Sequence, residues 1–166
     1  GSGKTTLGRG LAGILQRPFL DADDLHPAAN HARLAAGIAL TDADRGPWLA
    51  AVAAWIEARR GGGVVVACSA LRRRYRDVLR GADPGLLLVA LDVSRETLVA
   101  RVRNREGHFM AASLLDDQLA TLEVPAGDER VVHVPAGGSA DASLARIVAS
   151  LQPTPNAGTD PASGTD

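Results

Sequence analysis

The apolar residues of this chain follow two patterns that alternate along its length. In one pattern they recur every three or four positions, as on an amphipathic helix, and Leu7, Leu11 and Leu15 are an example. In the other they form unbroken runs, at 64–68 and 86–91, which are typical of strands buried on both faces of a parallel sheet. Helices that alternate with such strands predict an α/β protein with a parallel sheet.

Turn-forming residues, above all glycine and proline, divide the chain between these elements. A polar loop over 41–48 leads into a long helix that ends at the glycines 61–63, and Ser69 and Ser94 are predicted to cap the next two helices. The segment 152–166 has almost nothing to bury, which predicts a disordered tail. The remaining helices are predicted at 27–36, 113–122 and 144–151, and the remaining strands at 18–23 and 131–134.

Composition and charge limit the class of protein. The 166 residues suit one domain, and 46% of them are apolar, which is enough for a core although only 3% are aromatic. A net charge of −1 gives no broad basic surface, so we predict no nucleic-acid partner. We predict no membrane span, because no apolar run approaches roughly 20 residues. Cys68 is the one cysteine, which excludes an intrachain disulfide and predicts a reducing, cytoplasmic setting.

The start of the chain matches the second half of the phosphate-binding P-loop, G-x-x-x-x-G-K-[ST]. In such a loop, backbone N–H groups and the N-terminus of the following helix hold phosphate oxygens. Lys4 is predicted to reach the β- and γ-phosphates of a nucleotide, and the Thr5 hydroxyl to ligate Mg²⁺. A glycine-serine linker before an ordinary helix is the alternative. The candidate ligands of the phosphates are Gly1, Ser2, Gly3, Lys4, Thr5 and Thr6.

The first half of this motif does not occur in the sequence. The first glycine of the P-loop and the apolar strand that precedes it are both missing. In P-loop folds that strand lies inside a parallel sheet and is buried on both faces. We therefore expect a chain that is truncated at its N-terminus and lacks the first strand of its sheet.

Two carboxylates follow the next predicted strand. Asp21 and Asp23 are two residues apart, so alternation along a strand would point both in the same direction. Ligands of open α/β sheets bind beyond the carboxyl ends of the strands. A carboxylate pair in that place suits Mg²⁺ and a base for an attacking hydroxyl. Helix capping or solvation is the alternative, and without Lys4 it would be favoured, because acidic turns are common.

Basic residues occur at two places where an anionic substrate would be held. Arg45 follows a polar turn, and Arg72 to Arg76 begin a helix just after the strand at 64–68. Guanidinium groups bind carboxylates through two parallel hydrogen bonds. A surface salt bridge and a solvated basic face are the alternatives. His26, just past the carboxylates, would orient a substrate hydroxyl, or would lie at the surface of a helix start.

A third place with basic residues suggests a lid. Arg101 and Arg105 are four residues apart, on one face of a helix that ends near Gly107. The arrangement is typical of a flap that brings arginines onto a transferring phosphate. A helix end that is basic because of its dipole is the alternative. The histidines are scattered, and no His/Cys cluster predicts a metal centre of its own.

In this order, the motifs resemble the gluconate kinase family of small P-loop kinases, relatives of shikimate kinase and the nucleoside monophosphate kinases. The resemblance extends from Gly1 to about Leu151, and all the blocks together are specific although each alone is weak. The blocks are Gly1-Ser-Gly-Lys-Thr5; Asp21-x-Asp-x-Leu-His-Pro-x-x-Asn30; Gly37-x-x-Leu-x-Asp-x-Asp-Arg-x-Pro-Trp-Leu49; Cys68-Ser-Ala-Leu-Arg72 with Tyr75-Arg-Asp77; Arg101-x-x-x-Arg-x-Gly-His-Phe109; and Gln118-x-x-Thr-Leu122 with Pro125 and Asp128-Glu-Arg130.

The resemblance implies phosphoryl transfer from ATP·Mg²⁺ to the 6-hydroxyl of D-gluconate, in a catabolic route that feeds the pentose phosphate pathway. It implies a three-layer α/β/α P-loop kinase fold with a parallel sheet in the order 2-3-1-4-5, of which this chain would lack the first strand. A kinase domain at 1–151 would carry a substrate-binding helical insert at about 24–60 and a lid at about 101–112. Members of the family are often homodimers.

The resemblance also implies a role for each candidate residue. Asp21 would support Mg²⁺ beside Thr5, Asp23 would accept the proton of the hydroxyl, and His26 would lie near the polyol. The other catalytic residues would be Lys4, Arg101 and Arg105, the last two from the lid. The residues for the gluconate carboxylate would be Arg45, Arg72 and Arg76. The missing first strand and first P-loop glycine are a large departure from the family, whereas the others are mild: Arg33 and Arg72 stand where Lys is expected, and Leu34 stands where Met is usual.

Two other functions remain as alternatives. One is a related small-molecule kinase whose acceptor is shikimate, another sugar acid or a nucleoside monophosphate. The other is a truncated remnant that binds a nucleotide without catalysis.

Overall fold

The computed structural model describes residues 2–103, 112–125, 127–135 and 139–151. The predictions for Gly1, for Arg105 and most of the lid, and for the tail at 152–166 lie outside the described residues. Within the described ranges, strands and helices alternate along the chain as expected for an α/β protein.

The bounds of most elements agree with the predicted ones to within a few residues. The strands are β1 (Phe19–Asp21), β2 (Val65–Ala67), β3 (Leu88–Asp92) and β4 (Val131–Pro135). The helices are α1 (Lys4–Leu15), α2 (Ala28–Ala35), α3 (Asp42–Glu57), α4 (Arg73–Ala82), α5 (Arg95–Arg103), α6 (Ala112–Thr121) and α7 (Ala140–Leu151), and a 3₁₀ helix spans Ala22–Leu25.

The strands form two parallel pairs. β1 pairs with β2 in a register that places Asp21 beside Ala67, and β3 pairs with β4 so that Ala90 lies beside His133. In the expected order 2-3-1-4-5 these are the neighbouring pairs 2-3 and 4-5. Among the described residues, no strand connects the two pairs by hydrogen bonds. The parallel direction and the partners therefore agree with the predicted fold.

The larger apolar core lies between α3 and α4. Trp48, Val52 and Ile56 form the buried face of α3, and each is at most 1% exposed. Tyr75 and Leu79 of α4 pack against this face. Because this core includes residues of β1 and of the 3₁₀ helix, it fixes α3 relative to the carboxyl end of β1.

The second core holds α1 and α7 against the strands. Leu11 and Ile147 are buried there beside Val134 of β4. The close approach of α1 to β1 depends on Gly8, since a Cβ at that position would lie 2.7 Å from Cε2 of Phe19. None of the helices in the described ranges is long and apolar enough to cross a membrane.

Two local predictions are wrong. The polar loop predicted over 41–48 is instead the start of α3, because Thr41 and Asp44 form a capping box. The Thr41 hydroxyl accepts from the Asp44 amide at 3.2 Å, and the Asp44 carboxylate accepts from the Thr41 amide at 2.8 Å. Ser69 does not cap α4, which begins at Arg73. Ser94 does cap α5, since its hydroxyl accepts from the Thr97 amide at 3.3 Å.

The buried character predicted for the second long apolar run is also only partly found. Every residue of β3 is half-buried except Asp92, which is exposed. β2 has alternating burial, with Val65 and Ala67 buried and Val66 half-buried. An apolar run therefore identified the strands but overstated how fully both of their faces are covered.

Candidate active site

The phosphate-binding loop leads into α1 through a glycine in a left-handed conformation. Gly3 has φ +93°, which a side chain would strain, and it is the residue before the helix. The first helical bond of α1 runs from the Leu7 amide to the Gly3 carbonyl at 3.0 Å. The amides of Lys4, Thr5 and Thr6 precede that bond, so the helix itself gives them no acceptor. Together with the helix dipole they form a site for an anion.

A threonine–aspartate pair lies beside this loop. The Thr5 hydroxyl donates to Oδ2 of Asp21 at 2.7 Å, which joins the first turn of α1 to the end of β1. The other oxygen of Asp21 accepts from the Asp23 amide at 3.3 Å and caps the 3₁₀ helix. Mg²⁺ in nucleotide sites is bound through one or two such oxygens together with the phosphates. The donor set of Thr5 and Asp21 therefore fits a magnesium ion.

Asp23 reaches this edge of the sheet by a different route from the predicted one. The strand predicted over 18–23 ends at Asp21, and Asp23 lies in the 3₁₀ helix with its side chain exposed. The argument from strand alternation therefore does not hold for Asp23. The bond from the Asp23 amide to Asp21 nevertheless keeps Asp23 next to the carboxylate that contacts Thr5.

The pKa of Cys68 is affected by the charged residues of this site. It directly follows β2, and burial raises the pKa of its thiol to about 11. The charges of Asp23 and Asp21 also raise this pKa, whereas Lys4 lowers it. Lys4 and the two carboxylates thus all act electrostatically on one half-buried side chain that follows β2.

His26 is held in an aromatic and polar frame. Its ring stacks on Trp48 with the centroids 4.4 Å apart. The Asn30 amide nitrogen lies 2.8 Å from the Asp44 carbonyl and 3.3 Å from Nδ1 of His26. Because that nitrogen can only donate, Nδ1 must accept, and the proton of the neutral ring is on Nε2. Burial lowers the pKa of His26, which agrees with a neutral ring.

We expect this environment to make stability depend on pH. The pKa of His26 is below 6.5 in the folded protein, so the unfolded chain binds more protons in the interval just below 6.5. The free energy of unfolding should therefore fall as the pH decreases from 7 through this interval. Urea unfolding at a series of pH values measures the slope, and His26→Gln should reduce it. His133→Gln, on the exposed side of β4, is the control and should leave the contribution of His26 in place.

A cavity of about 230 Å³ lies between α3, α4 and α6. Arg45 and Arg72, both predicted to bind the substrate carboxylate, are part of its lining. Arg76, predicted for the same role, is not. The lining consists of Leu34, Ala39, Leu40, Thr41, Asp42, Arg45, Arg72, Tyr75, Leu114, Asp117, Gln118 and Thr121.

Asp42 organises the charges on one wall of this cavity. Its carboxylate accepts hydrogen bonds from the Tyr75 hydroxyl and from Arg74, and it lies 3.8 Å from Nη1 of Arg72. The hydrogen bond from Tyr75, followed by the nearby arginines, lowers the pKa of Asp42. Burial, and then the bond to Asp42, raises the pKa of Tyr75. The wall therefore keeps a charged carboxylate and a protonated phenol at neutral pH.

Arg72 retains a directed donor in this wall. Its Nε is buried and has no hydrogen-bond partner among the residues that the structure describes. A buried donor without a partner costs about 1–3 kcal/mol. An acceptor atom of a bound molecule would remove that cost. The guanidinium of Arg45 lies nearby, 5.8 Å from the centroid of the Tyr75 ring.

The remaining predicted site residues are placed differently. Arg76 is buried in an ion pair with Glu129, which favours a structural role over the predicted contact with the substrate carboxylate. Arg101 is exposed near the end of α5. Arg105 and Gly1 lie outside the described residues.

Several cavity residues were not predicted as site residues. Asp42, Tyr75 and Asp117 carry polar groups into the lining, as do Gln118 and Thr121 of α6. Gln118 and Thr121 belonged to a block of the family resemblance, and their spacing of three places both on one helix face. That spacing predicts that Gln118 and Thr121 point in the same direction. The sequence does not say where α6 lies, however, so the spacing alone could not place them in the cavity.

Described from its residues, the site has two parts. One is an anion site at the N-terminus of α1, with a hydroxyl and carboxylates beside it; the other is a separate cavity lined by arginines. Positioned phosphates, Mg²⁺ ligands and a base for a hydroxyl are the parts that phosphoryl transfer requires. The fold and the site define a P-loop kinase.

The comparisons with known proteins narrow the class. The family model described as shikimate kinase matches residues 1–129. A gluconokinase from Gluconobacter oxydans is 47% identical over 154 residues, which cover 92% of this chain and 86% of that protein. The crystal structure of a gluconokinase from Sinorhizobium meliloti 1021 has a TM-score of 0.83 at 44% identity, covering 90% of this chain and 85% of that one. The crystal structure of a sugar kinase from Janibacter sp. HTCC2649 has a TM-score of 0.85 at 43% identity, covering 91% and 88%.

The chain therefore belongs to the gluconokinase family of small P-loop kinases, whose fold the shikimate kinase model also describes. This confirms the predicted family, the α/β/α fold class and the class of enzyme, an ATP-dependent kinase with an alcohol acceptor.

Proposed function

We propose that this protein transfers the γ-phosphoryl group of ATP to the 6-hydroxyl of D-gluconate, the reaction of its gluconokinase relatives. A bond forms between the C6 oxygen and the γ-phosphorus, and the bond from that phosphorus to the bridging oxygen of ADP breaks. The hydroxyl proton leaves, first to a carboxylate of the protein and then to water. The products are 6-phosphogluconate and ADP. The 6-phosphogluconate links gluconate catabolism to the pentose phosphate pathway.

The cavity with Arg45 and Arg72 is the observation that carries the choice of a sugar-acid acceptor, while the preference for gluconate over shikimate, which also has one carboxylate and several hydroxyls, rests on the gluconokinase relatives. Its lining combines two guanidinium groups with carboxylate, amide and hydroxyl groups, which suits a molecule with one carboxylate and several hydroxyls. The buried Nε of Arg72 supplies a donor that has no acceptor within the described part of the protein. A nucleoside monophosphate would instead call for a site that takes a flat base, and Tyr75 is the one aromatic residue in this lining.

On the nucleotide side, each residue has a role that its position supports. The amides at the start of α1 and the ammonium group of Lys4 would hold the β- and γ-phosphates. Thr5 and Asp21 would hold Mg²⁺, which when bound to the nucleotide neutralises charge on the phosphates. Asp23, exposed beside them, would accept the hydroxyl proton, and Nε2–H of His26 would orient a hydroxyl of the polyol.

Other parts of the proposal rest on the family alone. We assign α2 and α3 to a substrate-binding insert at about 24–60, and we assign the lid to about 101–112, with Arg101 and Arg105 acting on the transferring phosphate. A homodimer and a cytoplasmic setting complete the proposal.

An acceptor panel tests the proposed function. The protein, expressed from its complete reading frame, is assayed with ATP·Mg²⁺ by coupling ADP formation to NADH oxidation. D-gluconate should give the largest kcat/KM, well above those of shikimate, AMP and other sugar acids. Equal or faster turnover of shikimate or AMP would reject gluconate as the acceptor. ADP formation that does not depend on any acceptor would reject the kinase assignment itself.

A further inference from the structure

Arg76 and Glu129 form a bidentate ion pair outside the cavity. Nε of Arg76 donates to Oε1 of Glu129 at 2.7 Å, and Nη2 donates to Oε2 at 2.8 Å. The two side chains are 5% and 0% exposed. This geometry orients the guanidinium plane and leaves Nη1 directed away from the carboxylate.

Nη1 of Arg76 joins two segments that are far apart in sequence. It donates to the carbonyls of Ala70 and Leu71 at 3.3 and 3.2 Å, and to the carbonyl of Glu123 at 2.9 Å. The Glu123 amide adds a bond of 2.8 Å to the Leu71 carbonyl. The segment between β2 and α4 is thereby fixed against the segment that follows α6.

Each of these segments is continuous with a wall of the cavity. Arg72 directly follows Leu71, and its carbonyl receives the first bonds of α4. Thr121 ends α6 two residues before Glu123. Both Arg72 and Thr121 line the cavity. The position of the Arg76 guanidinium therefore sets the distance between Arg72 and α6.

An outer connection supports the same junction. The Arg73 amide donates to Oε2 of Glu123 at 2.6 Å, and its guanidinium binds Asp128 at 2.9 and 2.7 Å. The side chains of Arg73 and Asp128 are 38% and 65% exposed. Exposed pairs of this kind contribute little, so the buried pair carries most of the constraint.

Stability alone does not account for a charged pair in this position. Well-packed apolar residues often replace a buried ion pair without loss of stability. Apolar side chains cannot, however, donate to three carbonyls or set their spacing. We propose that Arg76 and Glu129 are positioning residues for the acceptor, which hold Arg72 and α6 at the separation that gluconate requires. This inference rests on the proposed function for the identity of the acceptor.

The test compares variants of the full-length protein in steady-state kinetics and thermal unfolding. Arg76→Lys and Glu129→Gln should raise KM for gluconate about 10- to 100-fold while KM for ATP stays within about twofold. The double variant Arg76→Met/Glu129→Leu removes the buried charges and should recover much of the lost Tm. Its KM for gluconate should stay high, because the three carbonyls lose the Arg76 donor and, among the described residues, only the Leu71 carbonyl keeps another, the Glu123 amide.

Arg73→Gln is the matched control, since it removes a half-exposed arginine of the same junction that lies 4.0 Å from Oε2 of Glu129 without a hydrogen bond to it. Its KM for gluconate should change by less than about threefold. A KM for gluconate that is unchanged in Arg76→Lys and in the double variant would overturn the positioning role. A parallel rise in KM for gluconate and for ATP would also overturn it, because that result indicates a general loss of structure.

The wild-type enzyme separates this inference from the proposed function. If it turns over another acceptor of the panel and not gluconate, the proposed acceptor is wrong. The same variants are then assayed with the acceptor that the wild type uses. The change in KM for that acceptor, relative to the change in KM for ATP, still decides the role of Arg76 and Glu129.

Discussion

Replacing Asp23 by Asn is expected to reduce kcat for gluconate phosphorylation by about 10²- to 10⁴-fold, the range for loss of a general base. Asp23 is exposed beside the phosphate-binding loop, and its charge acts on the same half-buried thiol as those of Lys4 and Asp21. An amide of the same size keeps the shape of the turn but cannot take the hydroxyl proton. Steady-state assays give kcat, and calorimetric titration with ATP·Mg²⁺ should show nearly unchanged affinity.

Asp24→Asn provides the matched control for this prediction. Asp24 is the next residue of the same 3₁₀ helix, is also exposed and has no role in the proposed mechanism. Its variant should keep kcat within about threefold of the wild type. If Asp23→Asn retains full turnover, Asp23 is not the base. If both variants lose activity equally, the charge of the turn matters and no single proton acceptor is identified.

The backbone that the nucleotide half of the proposed site uses could be predicted, because it depends on local sequence. A few consecutive residues determine both the left-handed conformation of Gly3 and the start of α1 at Lys4. Thr5 contacts Asp21 because β1 ends near the start of α1. The apolar pattern indicated where this strand ends, and the carboxyl ends of strands are where ligands bind in such sheets. The sequence therefore placed Asp21 at the end of β1, where it is found, but it placed Asp23 on the same strand, and Asp23 lies in the 3₁₀ helix that follows.

The acceptor half could not be predicted in the same way, because long-range partners decide what each arginine does. Arg72 and Arg76 belong to one basic run, and the sequence offers no difference between them. Glu129, 53 residues further on, buries Arg76 in an ion pair. Asp42, 32 residues before Arg74, binds that arginine on the cavity wall. Only the packing of the chain distinguishes Arg72, which lines the cavity, from Arg76, which is buried in the ion pair.

The start of α3 shows a different kind of miss. Thr41-x-x-Asp44 is a capping pattern whose residues are only three positions apart, so the helix start could be predicted without a structure. Pro47 and several polar residues made the segment look like a loop. The segment nevertheless belongs to α3. In the helix, Trp48 lies on the apolar face that packs in the core, and Arg45 lines the cavity.

Trp48 connects the core to the site, and its removal should give the largest loss of stability. It is fully buried, and its indole N–H donates to the Ala22 carbonyl at 2.7 Å, inside the 3₁₀ helix that carries Asp23. Trp48→Ala should lower the free energy of unfolding by about 3–5 kcal/mol, the range for a large aromatic side chain in a core. Urea unfolding followed by circular dichroism measures this loss, with unchanged m-values as the sign of a simple stability effect.

Two phenylalanine variants separate packing from the hydrogen bond. Trp48→Phe keeps a ring but leaves the buried Ala22 carbonyl without its donor, so we expect a loss of about 1–3 kcal/mol. Trp55→Phe, the matched change at the other tryptophan, affects a half-buried ring that stacks against Arg59 and should cost clearly less, under about 1 kcal/mol. Because the indole also supports the His26 ring, Trp48→Phe should weaken acceptor binding as well. An equal loss of stability in both variants would mean that the bond to Ala22 does not hold the 3₁₀ helix against α3.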